Sequence, residues 1–98
     1  MNIGGINTPF DDCDSDSQSI DTSGGTLAAL FTNLTLTKCR GVSIQNRGSA
    51  NVRIGSTAAT ARFNILPGAT YTAYAKDLAK IAIIAASGTQ TVDIFVAI

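Results

Sequence analysis

The sequence contains no histidine, no glutamate and no tryptophan. Without histidine it lacks the side chain that titrates nearest neutral pH, and with it the usual general base, the usual activator of a serine or cysteine nucleophile and the commonest zinc ligand. Charge is scarce too: 7 Lys and Arg stand against 7 acidic residues, all aspartate, and charged residues make up 14% of the chain where roughly 25% is ordinary. A formal net charge of zero draws the chain toward neither nucleic acid nor an anionic membrane, so neither is expected as a partner. The longest apolar run, Ile81 to Ala86, falls far short of the roughly 20 residues that cross a bilayer. The start, Met1-Asn2-Ile3-Gly4-Gly5, has neither a basic nor an apolar stretch, which predicts cytoplasmic synthesis without a secretory signal. Cys13 and Cys39 show no CxxC spacing, and two thiols are the default reading. A disulfide between them would need Cα atoms within about 7 Å.

Small uncharged residues fill the space that charge vacates. Thr, Ser, Ala, Asn and Gly dominate, and 98 residues suffice for one thin core without a deep internal pocket. So weakly charged a surface has little to keep copies apart, and much of it is expected to be covered in use. A neutral monomer solvated by hydroxyls and amides is the alternative.

Residues 1–25 differ from the rest. Asp11, Asp12, Asp14, Asp16 and Asp21 alternate with Ser15, Ser17, Ser19 and Ser23, and Gly24-Gly25 closes the stretch. With few apolar residues to offset its ordering entropy, this acidic Ser/Asp-rich segment is expected to be an extended arm, flexible or laid loosely over a domain at 26–98. From Thr26 to Thr37 two periods compete. Leu27, Leu30, Phe31 and Leu34 have helical spacing with Thr26 as a cap, whereas Leu30 to Thr37 alternates as a strand, and the Thr-rich second half favours strand.

Further on the period is two. Val42 and Ile44, then Val52 and Ile54 across Asn46-Arg47-Gly48-Ser49, predict a hairpin. Ala61 to Ile65 predicts a strand ended by Pro67-Gly68 in a type II turn, followed by a strand from Thr70 to Ala75 with Tyr71 and Tyr74 on opposite faces. Asp77-Leu78-Ala79 predicts one tight helical turn, with a longer helix over Ala73 to Ile81 as competitor. Lys80 to Ala86 is apolar on both faces, as in a central strand, and Ser87-Gly88-Thr89 turns into a stripe of Val92, Ile94, Val96 and Ile98, with Asp93, Phe95 and Ala97 outside. Six or seven short strands spaced by about 8–12 residues predict an all-β, small antiparallel sandwich or barrel.

Chemistry is hard to place on this pattern. Asp77 and Asp93 are the carboxylates outside the acidic segment, and a turn cap and a solvated aspartate are commoner fates than a catalytic pair. Lys76 and Lys80 lie in no Ser-Lys motif, and the glycines form no phosphate-binding loop. An enzyme is not expected, and neither catalytic, cofactor-binding nor metal residues are assigned. Asp12, Asp14 and Asp16 have the spacing that opens a calcium loop, but Ser17 and Ser23 stand where such a loop needs glycine and glutamate, so a solvated acidic segment is the commoner outcome. Arg40, Arg47, Arg53 and Arg62 lack interleaved aromatics and are expected to be solvated or to pair with carboxylates of another copy, Asp11 to Asp21 among them. Tyr71, Tyr74 and Phe95 could make a sugar-stacking face, yet with so few aromatics two of the three are expected in the core.

Val42-Ser43-Ile44-Gln45-Asn46, Asn51-Val52-Arg53-Ile54-Gly55, Ile65-Leu66-Pro67-Gly68, Leu78-Ala79-Lys80-Ile81 and Ala85-Ala86-Ser87-Gly88-Thr89-Gln90-Thr91-Val92 together resemble small virion proteins of tailed bacteriophages, in particular decoration (cement) proteins of the head. The resemblance covers residues 42–98. It implies a jelly-roll-like sandwich, a homotrimer on the outer capsid surface after synthesis in the host cytoplasm, and the major capsid protein as partner, with neighbouring coat subunits bridged. Similar modules in tail, connector, baseplate or fibre, and a carbohydrate- or receptor-binding β module, are the competing functions.

Overall fold

A computed structural model describes residues 13–34, 39–74 and 76–97. The described residues form eight strands: β1 (Cys13–Ile20), β2 (Gly25–Thr26), β3 (Gly41–Asn46), β4 (Val52–Gly55), β5 (Phe63–Ile65), β6 (Thr70–Ala73), β7 (Ala82–Ala85) and β8 (Gln90–Ala97). They build two four-stranded antiparallel sheets, ordered β1-β8-β3-β6 and β2-β7-β4-β5. The first half of the chain therefore runs back along the second, β1 beside β8, β2 beside β7, β3 beside β6 and β4 beside β5. Rolled up so that alternate pairs fall on opposite sheets, this long hairpin is an eight-stranded jelly roll, and the all-β antiparallel sandwich expected from the sequence is the observed fold.

The core lies between the sheets. The period-two stripe of β8 turns Val92, Ile94 and Val96 inward beside Val42 and Ile44 of β3, against Val52 and Ile54 of β4, Ile65 of β5 and Ile83 of β7. One open flank is plugged by the one-turn helix α1 (Leu27–Leu30), whose first amides Thr26 caps by accepting from Ala29 at 3.2 Å. Leu27 and Phe31, one helical turn apart, are buried there. On the opposite flank the rings of Phe63 and Tyr71 close the gap between β5 and β6, with centroids 4.5 Å apart.

Four expectations need correction. The segment expected to lie loosely up to residue 25 is, from Cys13 onward, part of the sandwich: β1 pairs with β8 along its full length, Ile20 is fully buried, and the Asp21 carbonyl accepts from Ala85 at 3.0 Å. The polar composition misled because an edge strand can draw its ordering energy from a neighbour's ladder. Residues 1–12 of the expected arm lie outside the described residues. Second, Leu30 to Leu34 is not strand, because the Thr26 cap and the burial of Leu27 and Phe31 settle the helical period; residues 35–38 lie outside the described residues. Third, β3 and β4 are not a hairpin: the chain crosses between sheets at Arg47 to Asn51, so both strands were legible and their pairing was not. Fourth, Tyr74 and Phe95 are exposed, at 88% and 43%, and only Tyr71 is partly buried.

Other local readings hold. Gly68 has φ of 82°, and Ala69 donates to the Leu66 carbonyl at 2.9 Å, the type II turn that Pro67-Gly68 demands. Asp77 caps a short 3-10 turn, Leu78–Lys80, by accepting from Ala79 at 2.9 Å. β7 is a central strand between β2 and β4. Ile98 lies outside the described residues.

Candidate contact surface

The outward face of the first sheet is built in register. One row across β1, β8, β3 and β6 reads Ser15, Phe95, Ser43 and Thr72; the next reads Ser17, Asp93, Gln45 and Thr70. Because side chains alternate along each strand, the inward stripe of valine and isoleucine forces this polar set outward. Ser43 and Thr72 share a hydroxyl hydrogen bond of 3.1 Å. Arg47 donates from Nη1 to Asp93 Oδ2 at 3.1 Å, an ion pair that engages the carboxylate of this second row. Asp93 is held below the ordinary carboxylate range, chiefly by hydrogen bonding from Ser17 opposite it on β1, with burial opposing and Arg47 adding its bond and its charge. Its Oδ1 is shielded from solvent and makes no hydrogen bond of good geometry among the described residues.

At the end of the face where β1 begins, the register row is Cys13, Ala97 and Gly41, with Tyr74 one residue past the Ala73–Val42 pair. Small side chains in the middle leave an open groove of about 870 Å³, walled by Phe95 and Tyr74 and rimmed by Arg40 and Lys76. Its lining carries two cations and no carboxylate. The rim is fixed by backbone bonds: Arg40 donates to the Ala97 carbonyl at 2.9 Å, and Cys39 donates to that of Lys76 at 3.0 Å. Burial, and then the negative charge of Asp77, push the thiol of Cys39 upward, which makes it a poor nucleophile.

The opposite end is closed by two buried amides. Asn46, fully buried, donates to the carbonyls of Ala50 at 2.8 Å and Ile65 at 2.9 Å and accepts from the Gly48 amide at 2.9 Å. Gln90 accepts from the amides of Ser49 and Ala50 at 2.8 and 3.1 Å and donates to the Ser87 carbonyl at 2.8 Å. Gly48 sits so close to Gln90 that a Cβ there would overlap its side-chain carbonyl.

The carboxylates considered for chemistry are used structurally. Asp77 caps a turn and Asp93 holds Arg47, so the two are not assembled into a catalytic pair. Asp14 and Asp16 lie on a strand rather than in a calcium loop, and Asp12 lies outside the described residues. Asp16 accepts from the backbone and side chain of Asn33 at 3.2 and 2.9 Å and from Gln18 at 3.0 Å, pinning the loop after α1. Burial raises its pKa, but the bonds from Asn33, Gln18 and Ser17 together carry it below the ordinary range. Asp14 and Asp16 also take the amides of Ser15 and Ser17 at 2.9 and 2.8 Å, so the Asp-Ser repeat withholds those donors from any strand approaching this edge. Among the described residues no cluster of His, Cys, Asp or Glu could hold a metal ion, and no helix is long and apolar enough to cross a membrane. Compared with known protein families and with curated proteins, the chain matches none.

Proposed function

We propose that this protein is a structural component of a bacteriophage virion: a decoration (cement) protein that sits on the outer head surface as a homotrimer and bridges neighbouring subunits of the major capsid protein, catalysing no reaction. The observation that carries the reading is the outward face of the first sheet, an array of hydroxyl and amide side chains in which Asp93 is already paired with Arg47. Such a face costs less to desolvate than a charged one and offers donors and acceptors to another protein. The jelly roll, an architecture found in viral shells, supports the same reading. The mechanism is mass action: a ligand that binds only the assembled shell raises the free energy needed to open it, and symmetry multiplies weak contacts into firm attachment.

The test is co-sedimentation of the purified protein with expanded empty heads assembled from the coat protein of the same genome. Binding is expected to saturate at a fixed ratio to coat subunits, and to be lost in Gln45→Arg and Thr72→Arg, which place charge on the face without touching the core. Absence of binding to any assembled shell removes the proposal. A carbohydrate-binding module is the second reading, favoured by the exposed rings of Tyr74 and Phe95 beside Ser43 and Thr72. Retention on a glycan array by the isolated protein would select it.

A further inference from the structure

The groove between Tyr74 and Phe95 offers apolar rings and positively charged donors but few acceptors. Arg40 and Lys76 on its rim carry only N–H donors, and neither has an ion-pair partner among the described residues. Among the described residues its lining holds no carboxylate and no side-chain amide, and the aliphatic hydroxyls of Ser43 and Thr72 bond to each other at 3.1 Å. The two exposed rings stand at diagonal corners: Phe95 shares a row with Ser43 and Thr72, and Tyr74 extends the row of Ala97 and Gly41. Two strand spacings of about 4.8 Å and two residues of about 3.3 Å put their Cα atoms about 12 Å apart, so the trough is elongated.

We propose that this groove binds an acidic oligosaccharide, with the C–H faces of its sugar rings against Tyr74 and Phe95 and a carboxylate facing Arg40 and Lys76. A neutral sugar presents hydroxyl donors that need acceptors, and the lining has few to give. A carboxylate supplies acceptors and charge to the two unpaired cations. An extended peptide is a poorer fit, because it gains its affinity from main-chain bonds, and the main chain of the floor is already committed to the ladders of β8, β3 and β6. A single-stranded nucleic acid would stack bases on the same rings, but its phosphates need a cationic track, and the next row of the face presents Asp93. Gly41 keeps the floor low: a Cβ there would stand 3.5 Å from the Ala73 carbonyl oxygen and 3.9 Å from Tyr74 Cδ1, ordinary contacts, so a larger side chain would fill the trough without disturbing the strand. The assignment rests on the carbohydrate-binding reading and is independent of attachment to a shell.

Titration calorimetry of the full-length chain tests it with oligomers of galacturonic acid, hyaluronan and sialic acid, each beside its methyl ester, and with a single-stranded oligonucleotide. At least one acid is expected to bind about tenfold more tightly than its ester, the scale of two partly exposed ion pairs, and added salt should erase that difference. Arg40→Gln with Lys76→Gln should bring the acid down to the affinity of the ester. Tyr74→Ala and Gly41→Val should abolish binding of both, the first by removing a wall and the second by filling the floor, with the thermal melt of each variant as the control for folding. Acids that bind no more tightly than their esters would overturn the proposal and leave carbohydrate binding standing. Absence of binding to every sugar of the set would overturn both, and tighter binding of the oligonucleotide would overturn the proposal in favour of nucleic acid.

Discussion

The two ends of the sandwich are built on opposite principles. At one end Asn46 and Gln90 bury their amides and together satisfy six backbone groups from two loops and the end of β5, so the turns there are held from inside. At the other, Gly41 and Ala97 leave a trough, aromatic rings face solvent, and the cations on the rim have no partner among the described residues. A buried polar network is costly to disturb because each lost partner strands a group in low dielectric. An open groove contributes little to stability and can be altered at small cost. The contrast places the interactions that hold the turns together at one end and leaves the other end open to solvent.

Substitution at the closed end should separate the two most sharply. Asn46→Ala removes three hydrogen bonds from a fully buried site and is expected to destabilise by about 3–5 kcal/mol in chemical denaturation, since it orphans two carbonyls and an amide. Ile20→Ala should cost about 2–4 kcal/mol, because its side chain is in the core despite its acidic surroundings; an effect under 1 kcal/mol would mean that β1 is an appendage. Gly48→Ala is expected to cost about 1–3 kcal/mol by forcing Gln90 off the Ser49 and Ala50 amides. At the open end Tyr74→Ala should change stability by no more than about 0.5 kcal/mol. If that substitution unfolds the protein as Asn46→Ala does, the division between the ends is wrong.

Acid should reveal a smaller difference. Asp16 and Asp93 have native pKa values below their ordinary ones, so the stability they contribute is complete above the ordinary carboxylate range and is lost as pH falls through the depressed native values. Thermal melting is expected to fall as the pH drops below the ordinary carboxylate value of 3.8 and through the depressed native values, and Asp93→Asn should flatten that fall. A melting temperature that rises on acidification would contradict both hydrogen-bonding assignments.

The strands themselves were legible in the sequence because period-two alternation in Val42-Ser43-Ile44 and Val92-Asp93-Ile94 is a local property, as are the Pro67-Gly68 turn and the Asp77 cap. β1 was not, since Asp14-Ser15-Asp16-Ser17 has no apolar stripe and takes its order from β8. The groove escaped for a related reason. Few aromatics suggested a core role for two of Tyr71, Tyr74 and Phe95, yet strand phase places Phe95 on the outward face opposite Ser43, and Tyr74 follows the last paired residue of β6. The candidate carboxylates Asp77 and Asp93 were assigned to a cap and a polar face from the sequence, and the structure finds them there.

Taken alone, the sequence determined that this chain builds sheets and where it turns, because periodicity and turn chemistry act over a few residues, and its composition alone shows that it has neither histidine nor glutamate. Tertiary structure decided which strands pair, that β3 and β4 part to opposite sheets, and that Arg47 meets Asp93 while Arg40 and Lys76 stand beside two exposed rings. Those outcomes depend on how one long antiparallel hairpin rolls to bury both apolar faces at once, a condition that no local segment can express.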